Sequence, residues 1–216
     1  MALRTCRRLR LTPGVLNDPM LSAMKRLALA SILSAVALSA PGNVFVVDFT
    51  PPVSSIGPFS DTDVATWGQT FISPATGNLT DFSLSLDTAD PGEFKFWIAT
   101  WDGAKAGTLL FESPQQSATA GIVSYDFTPN INVVGGNAYV AFVNNSDFRN
   151  SGNVLNSAIG FSGDAYPDGS LFFQSSGSDF SEVTTSAWTD SGLDMAFSTS
   201  ITAVPETEHA GIVAGM

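Results

Sequence analysis

Leu79-Thr80-Asp81-Phe82-Ser83-Leu84-Ser85-Leu86 is followed, past Ala89-Asp90-Pro91-Gly92, by Glu93-Phe94-Lys95-Phe96-Trp97-Ile98-Ala99-Thr100-Trp101. Phe82, Leu84 and Leu86 alternate with Ser83 and Ser85, the period-two pattern of a half-buried strand. Pro91 presets φ for a turn and Gly92 accepts positive φ, so a turn separates this strand from the next. In the second strand Phe94, Phe96 and Ile98 share one face, and Lys95, Trp97, Ala99 and Trp101 share the other.

The same signals extend in both directions. Apolar, β-branched or aromatic runs at 44–49, 67–72, 108–112, 122–127, 139–143, 159–162, 171–174 and 193–202 are separated by Gly, Pro, Asn and Asp. About ten short strands at this spacing, with no helical periodicity among them, predict an all-β fold. We read an antiparallel two-sheet β-sandwich of jelly-roll type, in one domain over 43–203. Loops of small polar residues at 144–152 and 175–179 are expected to be mobile.

Charge divides the chain. Its 216 residues carry a formal net charge of −11. Six of the nine Lys and Arg fall in the first 40 residues; beyond them Lys95, Lys105 and Arg149 face nineteen Asp and Glu, a formal −16. Three cations in such a body cannot follow a phosphate backbone, which excludes nucleic acid as a partner. Met24-Lys25-Arg26, the twelve-residue run Leu27 to Leu38 and the small residues after it form a secretory signal peptide over 24–40. The run is too short to span a bilayer, which takes about 20 apolar residues. Residues 1–23 are read as an upstream extension outside the true start at Met24. Cys6, the single cysteine, lies within it. An exported body without thiols is ordinary in bacteria and must rely on its core alone.

The body lacks histidine as well as cysteine, since the single His is His209 in the tail. Nucleophilic triads and zinc sites are therefore excluded. Carboxylate chemistry survives as an alternative, because a glycosidase needs only two placed Asp or Glu; no spacing singles out a pair. Calcium is the candidate structural ion, since loop carboxylates are hard oxygen ligands. The candidates are Asp61 and Asp63, Asp164 and Asp168, and the pair Asp190 and Asp194, none in an EF-hand pattern. Trp97 and Trp101, two pleat steps apart, are the candidate stacking platform for a carbohydrate; the alternative is that a loop or second layer covers them.

After the last strand the chain reads Val204-Pro205-Glu206, then Thr207 and nine more residues. With the body type, this resembles exported bacterial proteins of the PEP-CTERM sorting class. Gly68-Gln69-Thr70-Phe71, Trp101-Asp102-Gly103, Tyr139-Val140-Ala141-Phe142 and Asp194-Met195-Ala196-Phe197-Ser198 resemble one β-sandwich group within it. The resemblance implies export to the surface of a Gram-negative bacterium, recognition of the sorting motif by exosortase, and association with exopolysaccharide. Thr207 departs from the family's second proline, and the ten residues after Glu206 hold neither a membrane helix nor an Arg cluster. We therefore read 204–216 as a degenerate tail, from a truncated gene end or a released variant. The expected function is that of a non-enzymatic surface or matrix protein without a catalytic cofactor.

Overall fold

A computed structural model of the chain describes residues 43–48, 52–60, 62–151, 155–175, 177 and 179–204. The upstream extension, the signal peptide, Asp61, Pro205 and Glu206 lie outside them.

The two strands that open the sequence reading become β4 (Gly77–Asp90) and β5 (Gly92–Trp101), but they do not pair. Each enters a different sheet, so the turn at Pro91 crosses the sandwich. Before them come β1 (Val44–Asp48), β2 (Ser54–Ser60) and β3 (Thr66–Ile72). After them come β6 (Ala106–Glu112), β7 (Gln116–Ala118), β8 (Gly121–Phe127), β9 (Ile131–Val133), β10 (Ala138–Asn144), β11 (Asn156–Gly163) and β12 (Leu171–Gln174). A single helical turn, α1 (Glu182–Thr185), precedes β13 (Thr189–Asp190), β14 (Asp194–Met195) and β15 (Phe197–Ala203).

The described strands form one sheet of eight and one of seven, every pairing antiparallel. Within them lie the orders β2-β11-β4-β8 and β3-β10-β5-β6. Read along the chain, those eight strands alternate between sheets except at the β5–β6 hairpin, which keeps both strands in the second sheet; this is the jelly-roll order. β12 and β13 widen the second sheet beyond β3, and β15 with β1 widens the first beyond β4.

The core follows the alternation. Phe82, Leu84 and Leu86 of β4 face Phe94, Phe96 and Ile98 of β5, all at most 1% exposed. Phe96 stacks on Phe127 at 4.1 Å, and Phe82 stacks on Phe197 at 5.5 Å. Each such side chain contributes roughly 1.5–3 kcal/mol by leaving water, which is how a body without disulfides holds together.

Three local readings are corrected. β2 is a strand absent from the runs read in the sequence; its pairing with β11 shifts register beside Gly57 and Pro58, and this irregularity accommodates the residue that cannot donate. The expected loop at 144–152 begins with three buried polar residues and continues as a 3₁₀ helix, Ser146–Ser151. Asn144 donates to Thr66 Oγ1 at 2.6 Å and accepts the Ser146 N–H at 2.8 Å, so its amide is anchored. α1 is a helical turn where none was expected.

Candidate functional site

The outer face of the seven-stranded sheet carries a second, aromatic cluster, and β5 supplies its floor. Alternation turns Trp97 and Trp101 outward, as read from the sequence, but outward does not mean exposed. Trp97 is 2% exposed. Phe142 of β10 stacks beside it at 5.6 Å, and Phe180 packs on it at 4.8 Å. Trp97 is therefore corrected from platform to core, because chain from outside the sheet covers it.

That cover is the stretch 179–188. Asp179 accepts the N–H and hydroxyl of Ser181 at 2.9 and 2.7 Å, which holds its carboxyl below the usual range, the side-chain bond being the larger cause. α1 follows and turns Val183 into the cluster. Trp188 then donates its indole N–H to Val183 O at 2.9 Å and its backbone N–H to Ala104 O at 2.8 Å. The ring lies edge-on to Phe142 at 5.4 Å and to Trp101 at 5.6 Å. It can descend this far because β3 passes beneath it at Gly68, where a Cβ would lie 2.9 Å from the ring.

Trp101 stands at the edge of the cover. It is half-buried, and its ring packs against half-buried Phe172 of β12 at 4.9 Å. Beside it, Asp102 accepts the N–H groups of Ala104 and Lys105, both at 2.9 Å; these bonds, Ala104's first, hold its carboxyl below the usual range. At the other end of the strand, Lys95 bonds Glu112 at 2.6 Å, lies 3.6 Å from Asp147 and sits 5.8 Å from the Trp97 ring centre. The Glu112 hydrogen bond is the main cause that raises its pKa.

The calcium candidates do not converge. Asp63 is exposed and bonds Ser60, and Asp164 and Asp168 are both exposed. Asp190 accepts Ser170 Oγ and the Gly192 N–H. Asp194 turns the other way, into the core, where Gln69 and the Tyr166 N–H bond its two oxygens. Among the described residues, no three carboxylate, His or Cys groups gather as a metal site.

Sequence reasoning missed a cleft on the outer face of the eight-stranded sheet. It has a volume of about 240 Å³, lies between the start of β2 and β8, and has Asp87 as the one carboxylate among its described lining residues. The absent side chain of Gly160 was the available signal.

Fold and site together define an all-β jelly-roll sandwich with a partly covered aromatic outer face. No protein-family model matches the chain, and no curated protein does. Among solved structures, it is similar to the cysteine protease and lectin-like domains of Cwp84, a surface layer associated protein of Clostridium difficile. The identity is 10% and the TM-score 0.44, over 65% of this chain and 32% of that one. The chain thus spans about a third of that structure's length, and a likeness at this level bears on neither activity nor ligand.

Proposed function

We propose that the protein is an exported, non-enzymatic β-sandwich of the bacterial surface or extracellular matrix that associates with exopolysaccharide through Trp101 and Phe172. The half-buried aromatic pair on the outside of a rigid sheet carries this reading. Aromatic faces stack on the C–H faces of sugar rings, and a sheet holds them without ordering cost at binding. Catalysis by paired carboxylates finds less support: among the described residues the cleft is lined by one carboxylate, Asp87, whereas glycoside hydrolysis uses two carboxyls about 5–9.5 Å apart. Export by the 24–40 leader belongs to the same reading, as does recognition of Val204, Pro205 and Glu206 by exosortase-type machinery. Val204 supports it by standing 60% exposed just beyond β15.

The test is retention of the mature protein on insoluble cellulose, chitin and partly deacetylated chitin. Trp101→Ala and Phe172→Ala are expected to reduce retention several-fold, and Leu109→Ala, an exposed position on β6, to leave it unchanged. Equal retention of all four proteins, or none by wild type, overturns the reading.

A further inference from the structure

The cleft opposite the aromatic face exists because one side chain is missing from a row. On the outer face, Ser55 of β2 pairs with Gly160 of β11, and Ser85 of β4 pairs with Ser124 of β8. Ser85 Cβ and O lie 3.1 and 3.2 Å from where a Gly160 Cβ would stand, and Pro52 Cβ lies 3.0 Å from it. Glycine therefore lets Pro52 settle over β11 and leaves a hollow beside it. Val53 and Ile122, 71% and 69% exposed, supply aliphatic walls. Asp87, directly across from Ile122 in the β4–β8 register, supplies the charge. Ser55 Oγ donates to Asp87 Oδ2 at 3.1 Å and holds the carboxylate; Oδ1 has no hydrogen-bond partner among the described residues.

Each feature restricts the ligand. A volume of about 240 Å³ lies below the roughly 300–1,000 Å³ of drug-sized pockets, so one ring fits rather than several. Serine hydroxyls beside aliphatic walls suit a group with hydroxyls on its edge and C–H bonds on its face. Among the described lining residues there is a single carboxylate and no Lys or Arg, and with a body of formal charge −16 these favour a cation.

We propose that this cleft binds an amino-sugar residue bearing a free ammonium group, within a partly de-N-acetylated polysaccharide. The ammonium bonds Asp87 Oδ1, the ring's C–H face lies along Pro52 and Ile122, and its hydroxyls meet the serines. This rests on the polysaccharide reading above and narrows it from any exopolysaccharide to a cationic one.

The test measures binding of the mature protein to oligomers of glucosamine and of N-acetylglucosamine, in mildly acid buffer at physiological ionic strength. There the diffuse pull of the acidic body is screened beyond about 8 Å. Wild type is expected to prefer the glucosamine oligomer. Asp87→Asn, which keeps the cleft's shape, is expected to lose about tenfold, the scale of one charge-assisted hydrogen bond. Ile122→Asp, at an exposed position, is expected to weaken binding by a smaller factor, because it keeps Asp87 and adds a carboxylate but removes the apolar wall. Asp126→Asn, on the same face of β8, is expected to change nothing. Equal binding by Asp87→Asn and Asp126→Asn identifies diffuse polycation attraction and overturns the cleft. Wild-type binding that is blind to N-acetylation overturns the cleft while leaving the polysaccharide reading in place. No binding to either oligomer overturns the cleft alone if the Trp101-dependent retention on polysaccharide persists.

Discussion

Gln69 of β3 and Asp194 of β14 clasp the two sheets: the Gln69 amide donates to Asp194 Oδ1 at 2.9 Å and accepts the Met195 N–H at 2.7 Å. Both residues are 0% exposed, and Asp194 Oδ2 takes the Tyr166 N–H at 2.7 Å. Four polar groups thus satisfy one another inside an apolar interior. Removing one partner leaves the others buried and unpaired, at about 1–3 kcal/mol each and more where a charge is stranded. Gln69→Leu and Asp194→Leu should each cost about 2–4 kcal/mol in urea unfolding. The double variant should cost clearly less than their sum. Strict additivity would mean the clasp does not act as a unit.

Trp97 and Trp101 share a face of β5 but should respond unequally to truncation. Trp97→Ala empties a site 2% exposed between Phe142 and Phe180 and should cost about 3–5 kcal/mol. Trp101→Ala, at the half-buried edge, should cost about 1–2 kcal/mol. Urea midpoints of the two variants check the order, and the reverse order would contradict the packing described.

Gly68 sets the height of the cover. A Cβ there would meet Phe142 Cβ at 2.6 Å, the Trp188 ring at 2.9 Å and Val140 Cγ2 at 3.0 Å. Gly68→Ala should destabilise by about 1–3 kcal/mol as an overpacked contact. It should also alter the near-ultraviolet circular dichroism of the tryptophans, because Trp188 must move. An unchanged aromatic spectrum would show that the cover does not rest on β3.

Stability should fall on the alkaline side through Tyr166 and Lys95. Burial is the main cause raising the Tyr166 phenol above its ordinary 10.0, while its oxygen accepts the Ile72 N–H at 3.2 Å. The Glu112 bond is the main cause raising Lys95 above 10.5. A group whose folded pKa is raised contributes stability that is fully present below its unfolded value and lost as pH rises through the folded one. The melting temperature should therefore decline above pH 10, and Tyr166→Phe should flatten that decline. An alkaline limb identical in wild type and Tyr166→Phe would contradict the assignment.

The inner faces of β4 and β5 were legible because alternation reports directly which side of a strand is apolar. What lies over the other side was not, since a cover comes from a distant segment with no period of its own. Phe180, Val183 and Trp188 sit in a polar stretch whose spacing matches neither strand nor long helix. Asp194 read as a loop carboxylate because its partner Gln69 lies 125 residues away. Asn144 read as loop for the same reason, its bond to Thr66 being invisible to local composition. The cleft depends on β2, β4 and β8 meeting beside the absent side chain of Gly160 on β11, a juxtaposition the glycine by itself does not display.

The most direct measurement is tryptophan fluorescence during titration with a soluble polysaccharide fraction that wild type retains. Trp67, Trp97 and Trp188 are at most 7% exposed, so Trp101 is the tryptophan placed to report contact. The account predicts a saturable emission change in wild type that disappears in Trp101→Phe. A change that persists in Trp101→Phe, or no change in wild type, would contradict it.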